Sequence, residues 1–219
     1  VETFWKNICA GKSGIRVIDH FDTSDLTAKI AGIAEDVEID GMDNKEMRRM
    51  SRYAQFAIFA AEQAWKQAGL DINKEDPYRC GTSVGSGIGG LNEINIDSVR
   101  MAEGGARRVS PLMVPKGLAN MAAGAVAIRL GLLGPNKCVV TACASGTHSL
   151  GDAASLIQSG KADVMVAGGA EATAIRARQI HRPAGELGVI EPIGEVVAQE
   201  APVEVGLGRD RELAAAAAQ

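Results

Sequence analysis

The amino-acid sequence predicts a domain of the α/β class. Its clearest signal is residues 137–172, where a strand, a turn at CASG, an amphipathic helix and a second strand follow one another. Both strands, KCVVTA and ADVMVAGGAEA, are continuous apolar runs, which is typical of parallel strands buried on both faces. Aromatic residues make up only 4% of the chain and Gly contributes 26 residues, which suits closely packed helices and strands better than a β-sandwich.

Two further helices and a strand are predicted upstream of this unit. Asp43 with Glu46 three positions later forms a capping-box pattern, which predicts the start of one long helix that ends near Gly69. The strand CGTSVG then leads into the glycine-rich turn GSGIGG, and after a polar stretch the segment VPKGLANMAAGAVAIRLGL predicts a second, Ala-rich helix. The first helix should bury Met47, Met50, Ala54, Ala57 and Ala61, which recur at helical spacing.

Composition and charge exclude several classes of protein. With 219 residues and a net charge of -4, the chain is an ordinary globular protein and lacks the positive charge of a general nucleic-acid binder. No apolar run reaches the roughly 18 residues of a membrane span, and no signal-peptide pattern opens the chain. Because it begins with Val1, we expect it to start inside a longer gene product. The cysteines show neither CxxC spacing nor a neighbouring His cluster, which argues against zinc or a disulfide framework and favours a cytoplasmic location: Cys9, Cys80, Cys138 and Cys143.

Cys143 is the candidate nucleophile. It stands where a strand meets a helix, among the small residues Ala142, Ala144, Ser145 and Gly146, and a sharp strand-to-helix turn needs small neighbours if its apex is to be exposed. Backbone N–H groups at a helix start stabilise a thiolate and can also face a developing oxyanion. From turn chemistry alone, a buried structural cysteine fits as well as an acyl-transfer nucleophile.

A family resemblance resolves this choice. The run GPNKCVVTACASGTHSLGDAASLIQSGKADVMVAGGAEA resembles the active-site segment of elongating β-ketoacyl-acyl-carrier-protein synthases, the condensing enzymes of fatty acid synthesis. The resemblance extends upstream to WKNICAGKSGIRVIDHFDTSDL and covers about residues 1–175. It implies the N-terminal half of a thiolase-like fold, in which two similar α/β halves of one chain form a five-layered αβαβα architecture. It also implies that the complete enzyme is a cytoplasmic homodimer.

The resemblance also implies a reaction. The cysteine that matches Cys143 takes an acyl chain from acyl-carrier protein, and two histidines of the second half assist decarboxylation of malonyl-acyl-carrier protein, whose carbanion attacks the thioester. Those histidines have no counterpart here, because His20 and His181 lie elsewhere and His148 lies five residues beyond Cys143 on a helix, turned away from the thiol. We expect an incomplete enzyme that cannot catalyse the condensation by itself.

The resemblance assigns two residues to the acyl pocket. Ile88 matches a residue whose bulk limits chain length, and Met113 matches one that lines the pocket of the partner subunit. The alternatives are a core residue for Ile88 and an ordinary gap filler for Met113. The segment also satisfies the G-x-G-x-x-G pattern, but the acidic residue that nicotinamide cofactors require is lacking where Arg107 and Arg108 stand, and we expect no helix directly after Gly90.

A local basic patch is the predicted partner surface. By resemblance its residues dock acyl-carrier protein, which carries the phosphopantetheine arm, so we expect no cofactor bound by this chain itself and no metal. A solvated helix face is the ordinary alternative for such a patch. The residues are Lys45, Arg48 and Arg49 on the first helix, and Arg107 and Arg108 on a later loop.

Residues 176–219 differ in character from the rest. They contain no Lys, Ser, Thr, Asn, Met, Cys or aromatic residue, which is a biased composition. We expect a disordered or frame-shifted extension there, and a separate regulatory tail is the alternative. Two alternatives for the function also stay open. One is a polyketide-type ketosynthase, and the other is a catalytically inactive truncated fragment; chain-length-factor relatives replace the nucleophile that this chain retains at Cys143.

Overall fold

A computed structural model of the chain describes residues 2–19, 22–24, 26–172 and the backbone of residues 206–208. These residues form two compact units, one up to residue 36 and one from residue 37 onward. The predicted boundary between residues 175 and 176 lies outside the described residues, as do His20 and His181. Among the described helices, none is long and apolar enough to cross a lipid bilayer.

The first unit is small and exposed. It consists of helix α1 (Glu2–Cys9) and the antiparallel strands β1 (Ile15–Val17) and β2 (Ile30–Gly32). α1 buries none of its residues, and an ion pair between Arg16 and Glu35 at 2.8 Å is exposed to solvent. Exposed ion pairs of this kind contribute little to stability.

The second unit is a layer of strands with helices packed on both faces. Its elements are, in chain order, α2 (Asn44–Met47), α3 (Arg52–Gln67), β3 (Cys80–Gly85), α4 (Leu91–Gly104), α5 (Met113–Gly117), α6 (Met121–Leu130), β4 (Asn136–Lys137), α7 (Ser145–Gln158), β5 (Val164–Gly169) and β6 (Gly206–Gly208). The strand order is β4-β3-β5-β6, in which β4 and β5 run parallel to β3 and β6 runs antiparallel to β5. The α/β class is therefore confirmed.

Side chains of β5 alternate between the two faces of the sheet, as the geometry of a strand requires. Val164 and Val166 pack with α3 and α6 in the larger apolar cluster. Met165 and Ala167 pack with α7 on the opposite face. Because both faces are covered, β5 is a continuous apolar run, as the sequence predicts.

The predicted long helix between Asp43 and Gly69 is wrong in one respect, because it is two helices. The capping box at Asp43 is confirmed, since its side chain accepts hydrogen bonds from the N–H groups of Lys45 and Glu46. The chain leaves helical geometry before Ser51, whose backbone is extended with ψ 156°. The Gln55 side-chain amide donates to the Met47 carbonyl at 2.8 Å and so satisfies one of the acceptors that the break frees.

The stretch between β3 and α5 also differs from expectation. The sequence treats it as polar and irregular, whereas the structure forms α4, which buries only Asp97. A helix with so narrow a buried face lacks a strong apolar stripe. The predicted Ala-rich helix is interrupted as well, because α5 ends at Gly117 and α6 begins at Met121.

β4 is shorter and more exposed than predicted. β4 pairs with β3 at Asn136 and Lys137, so Lys137 is the one residue of the expected strand KCVVTA that lies in β4. Thr141 makes only an isolated bridge with Cys143, and Val140 is exposed. Within the described part of the chain β4 pairs on one side only, with β3, and β3 separates it from β5. The prediction of parallel strands is right. The prediction that both faces of this strand are buried is wrong for β4, because no described element covers this edge of the sheet.

Candidate active site

The site lies where the parallel strands β3 and β5 end. Gly85 and Gly169 are paired in the register, so the segments that follow them leave the sheet side by side. α7 packs on both strands, and the loop in front of it meets the same edge. Ligand and catalytic sites of α/β sheets collect at the carboxyl ends of strands.

Cys143 lies in a tight elbow between β4 and α7. Ala142 has φ 52°, a left-handed conformation that is unusual for a residue other than glycine. The Ser145 hydroxyl fixes this elbow, because it donates to the Ala142 carbonyl at 2.6 Å and accepts from the Thr141 N–H at 2.9 Å. Such strain is retained only where the surroundings hold it, and it is often found at functional sites.

The elbow places Cys143 in solvent, one residue before the cap of α7. The N-terminal end of this 14-residue helix carries partial positive charge and follows directly on the elbow. An exposed thiol in such a position can attack a thioester carbonyl. The role of Cys143 as a nucleophile stays a prediction.

The other described cysteines have different surroundings. Cys80 is buried in β3, and Cys9 is exposed in the first unit. Cys138 is partly buried, and its thiol donates to the Ala119 carbonyl at 3.3 Å. Burial raises the pKa of the Cys138 thiol and so keeps it neutral.

His148 is linked to the elbow through Thr141. Its Nδ1 atom lies 2.8 Å from the Thr141 hydroxyl, and both side chains are exposed. The sequence analysis treats His148 as an ordinary helix residue, and spacing along the helix did not indicate this contact. The hydrogen bond ties the first turn of α7 to the strand side of the elbow.

The turn at residues 86–90 carries Ile88. Gly89 has φ +58°, and a Cβ atom there would lie 2.8 Å from Ala119 Cα, so the turn requires glycine. Ile88 is 36% exposed, and the alternative of a core residue is therefore wrong. Met113 opens α5 and is partly buried.

Glu171 is a site residue that the sequence analysis missed. It follows β5, and its carboxylate accepts hydrogen bonds from the Ser86 hydroxyl at 3.0 Å and from the Gly87 N–H at 2.6 Å. Burial raises the pKa of Glu171, and the hydrogen bonds oppose this shift. The available signal was an acidic residue directly after the apolar run VMVAGGA.

The dinucleotide pattern needs one correction. α4 does begin directly after Gly90, where we expected no helix. The Gly90 N–H, however, donates to the Gly117 carbonyl at 3.1 Å. The backbone of Ala119 also lies against Gly89, where an added Cβ atom would clash with it. Protein backbone therefore covers this helix start, which in nucleotide-binding folds is open to a phosphate.

The predicted docking residues are exposed. Lys45 lies in α2, Arg48 caps its end, and Arg49 follows in the break before α3. Arg107 and Arg108 lie in a short 3₁₀ turn after α4. The first group therefore belongs to a short separate helix and its end, and the expected position on one long helix is wrong. Among the described residues, no cluster of three His, Cys, Asp or Glu side chains could hold a metal ion.

Comparison with known proteins identifies the family. Residues 1–182 match the model of the beta-ketoacyl synthase N-terminal domain. The 3-oxoacyl-(acyl-carrier-protein) synthase 2 of Vibrio cholerae serotype O1 is 44% identical over 172 residues, which are 78% of this chain and 42% of that protein. The same-named protein of Staphylococcus aureus is 46% identical over 173 residues, 78% of this chain and 43% of that protein.

Solved structures of ketosynthases also match this chain. The ishigamide ketosynthase/chain length factor matches with a TM-score of 0.72 and 28% identity, over 81% of this chain and 45% of that one. A type II polyketide-synthase ketosynthase, solved in complex with its acyl-carrier protein, matches with a TM-score of 0.57 and 25% identity, over 70% of this chain and 40% of that one.

The fold is thus the N-terminal half of a thiolase-like fold. The chain belongs to the beta-ketoacyl synthase family, as the sequence resemblance implied. It spans less than half the length of the relatives it matches.

Proposed function

We propose that Cys143 is the acyl-accepting nucleophile of a 3-oxoacyl-acyl-carrier-protein synthase of fatty acid biosynthesis. The observation that carries this proposal is the exposed Cys143 in the strained elbow at the N-terminus of α7. The 44% identity to a 3-oxoacyl-acyl-carrier-protein synthase supports it. No second described cysteine combines exposure with a helix start.

The acyl transfer is a thioester exchange. The Cys143 thiolate attacks the carbonyl carbon of an acyl-pantetheine thioester, a new C–S bond forms to Cys143, and the bond to the pantetheine sulfur breaks. The departing thiolate takes up the proton that Cys143 lost. Backbone N–H groups at the elbow are suited to stabilise the oxyanion of the tetrahedral intermediate.

The condensation that follows needs groups that the described residues lack. In the complete reaction malonyl-acyl-carrier protein loses CO₂, its carbanion forms a C–C bond to the acyl carbonyl, and the Cys143 thiolate leaves. His148 is the only histidine among the described residues, and it is engaged with Thr141. We therefore propose that residues 1–175 supply the acylation half of the reaction, with residues 176–219 a divergent tail.

The partner of this reaction is an acyl-carrier protein. Lys45, Arg48 and Arg49 offer an exposed basic surface to an acidic partner, with Arg107 and Arg108 as a second group. A matching ketosynthase has been solved with its acyl-carrier protein, which supports this choice. Ile88 lies on the turn beside the elbow, where it can limit chain length. Met113 would line the pocket of a second copy in a homodimer.

A polyketide-type ketosynthase is the second candidate function. The likeness to a type II polyketide-synthase ketosynthase favours it, although the identity of 25% is lower than the 44% to the Vibrio cholerae synthase. Acylation by unbranched fatty acyl thioesters distinguishes the two, because a polyketide enzyme should prefer oxygenated chains.

The test is acylation of the full chain followed by mass spectrometry. The wild-type protein and Cys143→Ala are incubated with the butanoyl thioester of N-acetylcysteamine, and the modified cysteine is located by peptide mapping. Cys9→Ala is the matched control, because Cys9 is also exposed but lies in the first unit. We expect acylation of the wild type and of Cys9→Ala, and none of Cys143→Ala.

Two outcomes would contradict the proposal. Acylation that persists in Cys143→Ala would show that another group reacts, and equal labelling of Cys9 and Cys143 would show that the elbow confers no reactivity. A further addition of malonyl-acyl-carrier protein should yield no 3-oxoacyl product from this chain alone. Formation of that product would refute the assignment of only the acylation half.

A further inference from the structure

Glu171 holds the turn that carries Ile88. Its two carboxylate oxygens are used separately: Oε1 accepts from the Ser86 hydroxyl at 3.0 Å, and Oε2 accepts from the Gly87 N–H at 2.6 Å. The Ile88 N–H also stabilises the carboxylate charge. Hydrogen bonds to a charged acceptor are about twice as strong as those between neutral groups.

The Ser86 hydroxyl extends this contact across the turn. Its oxygen accepts from the Gly89 N–H at 3.0 Å while it donates to Glu171. Ser86 is 2% exposed, so water does not compete for these bonds. A single carboxylate thereby fixes both ends of the Ile88 peptide.

Neighbouring segments also approach this turn closely. A Cβ atom at Gly87 would lie 2.9 Å from Glu171 Oε2 and 3.4 Å from Ala142 Cα. A Cβ atom at Gly89 would lie 2.8 Å from Ala119 Cα. The turn is therefore packed between Glu171, the elbow of Cys143 and the segment before α6.

We propose that Glu171 is a positioning residue for acyl-chain selection, which fixes Ile88 beside the Cys143 elbow through the turn at residues 86–89. This role rests on the acyl transfer proposed above. Ile88 is 36% exposed at the surface of the turn, so its side chain is held by the backbone beneath it rather than by a surrounding core. Loss of the carboxylate should free Ile88 to move and admit longer chains.

The variant Glu171→Gln tests this role at nearly constant volume. The glutamine amide has one NH₂ group, which is a donor, in place of one of the two carboxylate oxygens. This NH₂ group cannot accept the hydrogen bond that the replaced oxygen accepted, so part of the contact is lost. Glu103→Gln is the matched control, because Glu103 is exposed on α4. Ser86→Ala, which removes the hydroxyl but not the carboxylate, is the second variant should Glu171→Gln fail to fold.

Three measurements are made on the full chain. Butanoyl and hexadecanoyl thioesters of N-acetylcysteamine give the rates of short-chain and long-chain acylation of Cys143, and iodoacetamide gives the reactivity of its thiol without an acyl chain. Amide hydrogen exchange reports on residues 86–90. We expect Glu171→Gln to raise the long-to-short ratio by about tenfold and to speed exchange in the turn, with iodoacetamide alkylation unchanged.

The outcomes separate this role from simple loss of stability. An unchanged long-to-short ratio in Glu171→Gln, or an equal fall in all three rates, would overturn the positioning role while the acyl transfer stands. A wild-type chain that takes up neither acyl group would refute the proposed acyl transfer, and the role of Glu171 with it. The Glu103→Gln control should match the wild type throughout.

Discussion

The contact between Gly146 and Gly169 determines how closely α7 approaches β5, and it offers a sharp test of how the elbow is supported. A Cβ atom at Gly169 would lie 2.8 Å from Gly146 Cα and 3.1 Å from Gly146 N, which are backbone atoms that no rotamer change can move. Gly169→Ala must therefore displace the start of α7 and, with it, the elbow that holds Cys143 just before this helix. Overpacking of this kind costs about 1–3 kcal/mol.

The same helix contains its own control. A Cβ atom at Gly151 would meet no atom within 4 Å, so Gly151→Ala only removes the cost of a glycine in a helix and should stabilise the protein by about 0.5–1 kcal/mol. Gly146→Ala should fall between the two, because its Cβ atom would lie 3.3 Å from Gly169 N.

Urea unfolding of the three variants, with iodoacetamide alkylation of Cys143 in native buffer, measures both effects. We expect Gly169→Ala alone to lower the unfolding midpoint and change the alkylation rate together. A Gly169→Ala protein as stable as Gly151→Ala would refute the reasoning, since it would mean that the helix and strand are not in contact at this point.

Two further predictions concern Tyr53 and the basic surface. Burial raises the pKa of Tyr53 to about 12, whereas an unfolded tyrosine titrates near 10, so its contribution to stability is complete below pH 10 and is lost as the pH rises towards 12. In urea unfolding at both ends of this window, the wild type should lose about 2–3 kcal/mol more stability than Tyr53→Phe. The control Tyr78→Phe, at a residue that is 70% exposed, should behave as the wild type, and equal losses in all three proteins would be inconsistent with a buried, titrating Tyr53. For the basic surface, the double variant Arg48→Glu with Arg49→Glu should slow acylation by acyl-carrier protein by about tenfold at low salt and leave acylation by the small thioester unchanged. The control Lys66→Glu with Lys161→Glu makes the same change in net charge at exposed positions elsewhere, and an equal effect of both double variants would exclude a specific docking surface.

Patterns within short segments predicted the elements that depend only on neighbouring residues in the chain. β3, β5 and α7 carry apolar runs or helical spacing that their burial confirms, and the Asp43 capping box depends only on residues three apart. The Cys143 elbow could also be predicted, because small residues between a strand and a helix are visible in one short segment.

What the sequence missed depends on contacts that its hydropathy pattern does not show. The break at Ser51 is supported by the side chain of Gln55 bonding back to Met47, and the apolar run after Lys137 is exposed because no described strand pairs beyond β4. Glu171 acts on a turn 84 residues earlier in the chain, at Gly87. Neither the hydropathy nor the periodicity of a sequence shows which segments are in contact in the folded chain.

The break at Ser51 also separates a buried helix from an exposed one. α3 is committed to the core, where seven of its side chains are buried, whereas α2 buries none. Arg48 and Arg49 lie on the exposed side of that division, so the charge of the surface there can vary without repacking the helix that supports the sheet. The proposed docking surface can therefore change by substitution alone, independently of the residues that build the elbow.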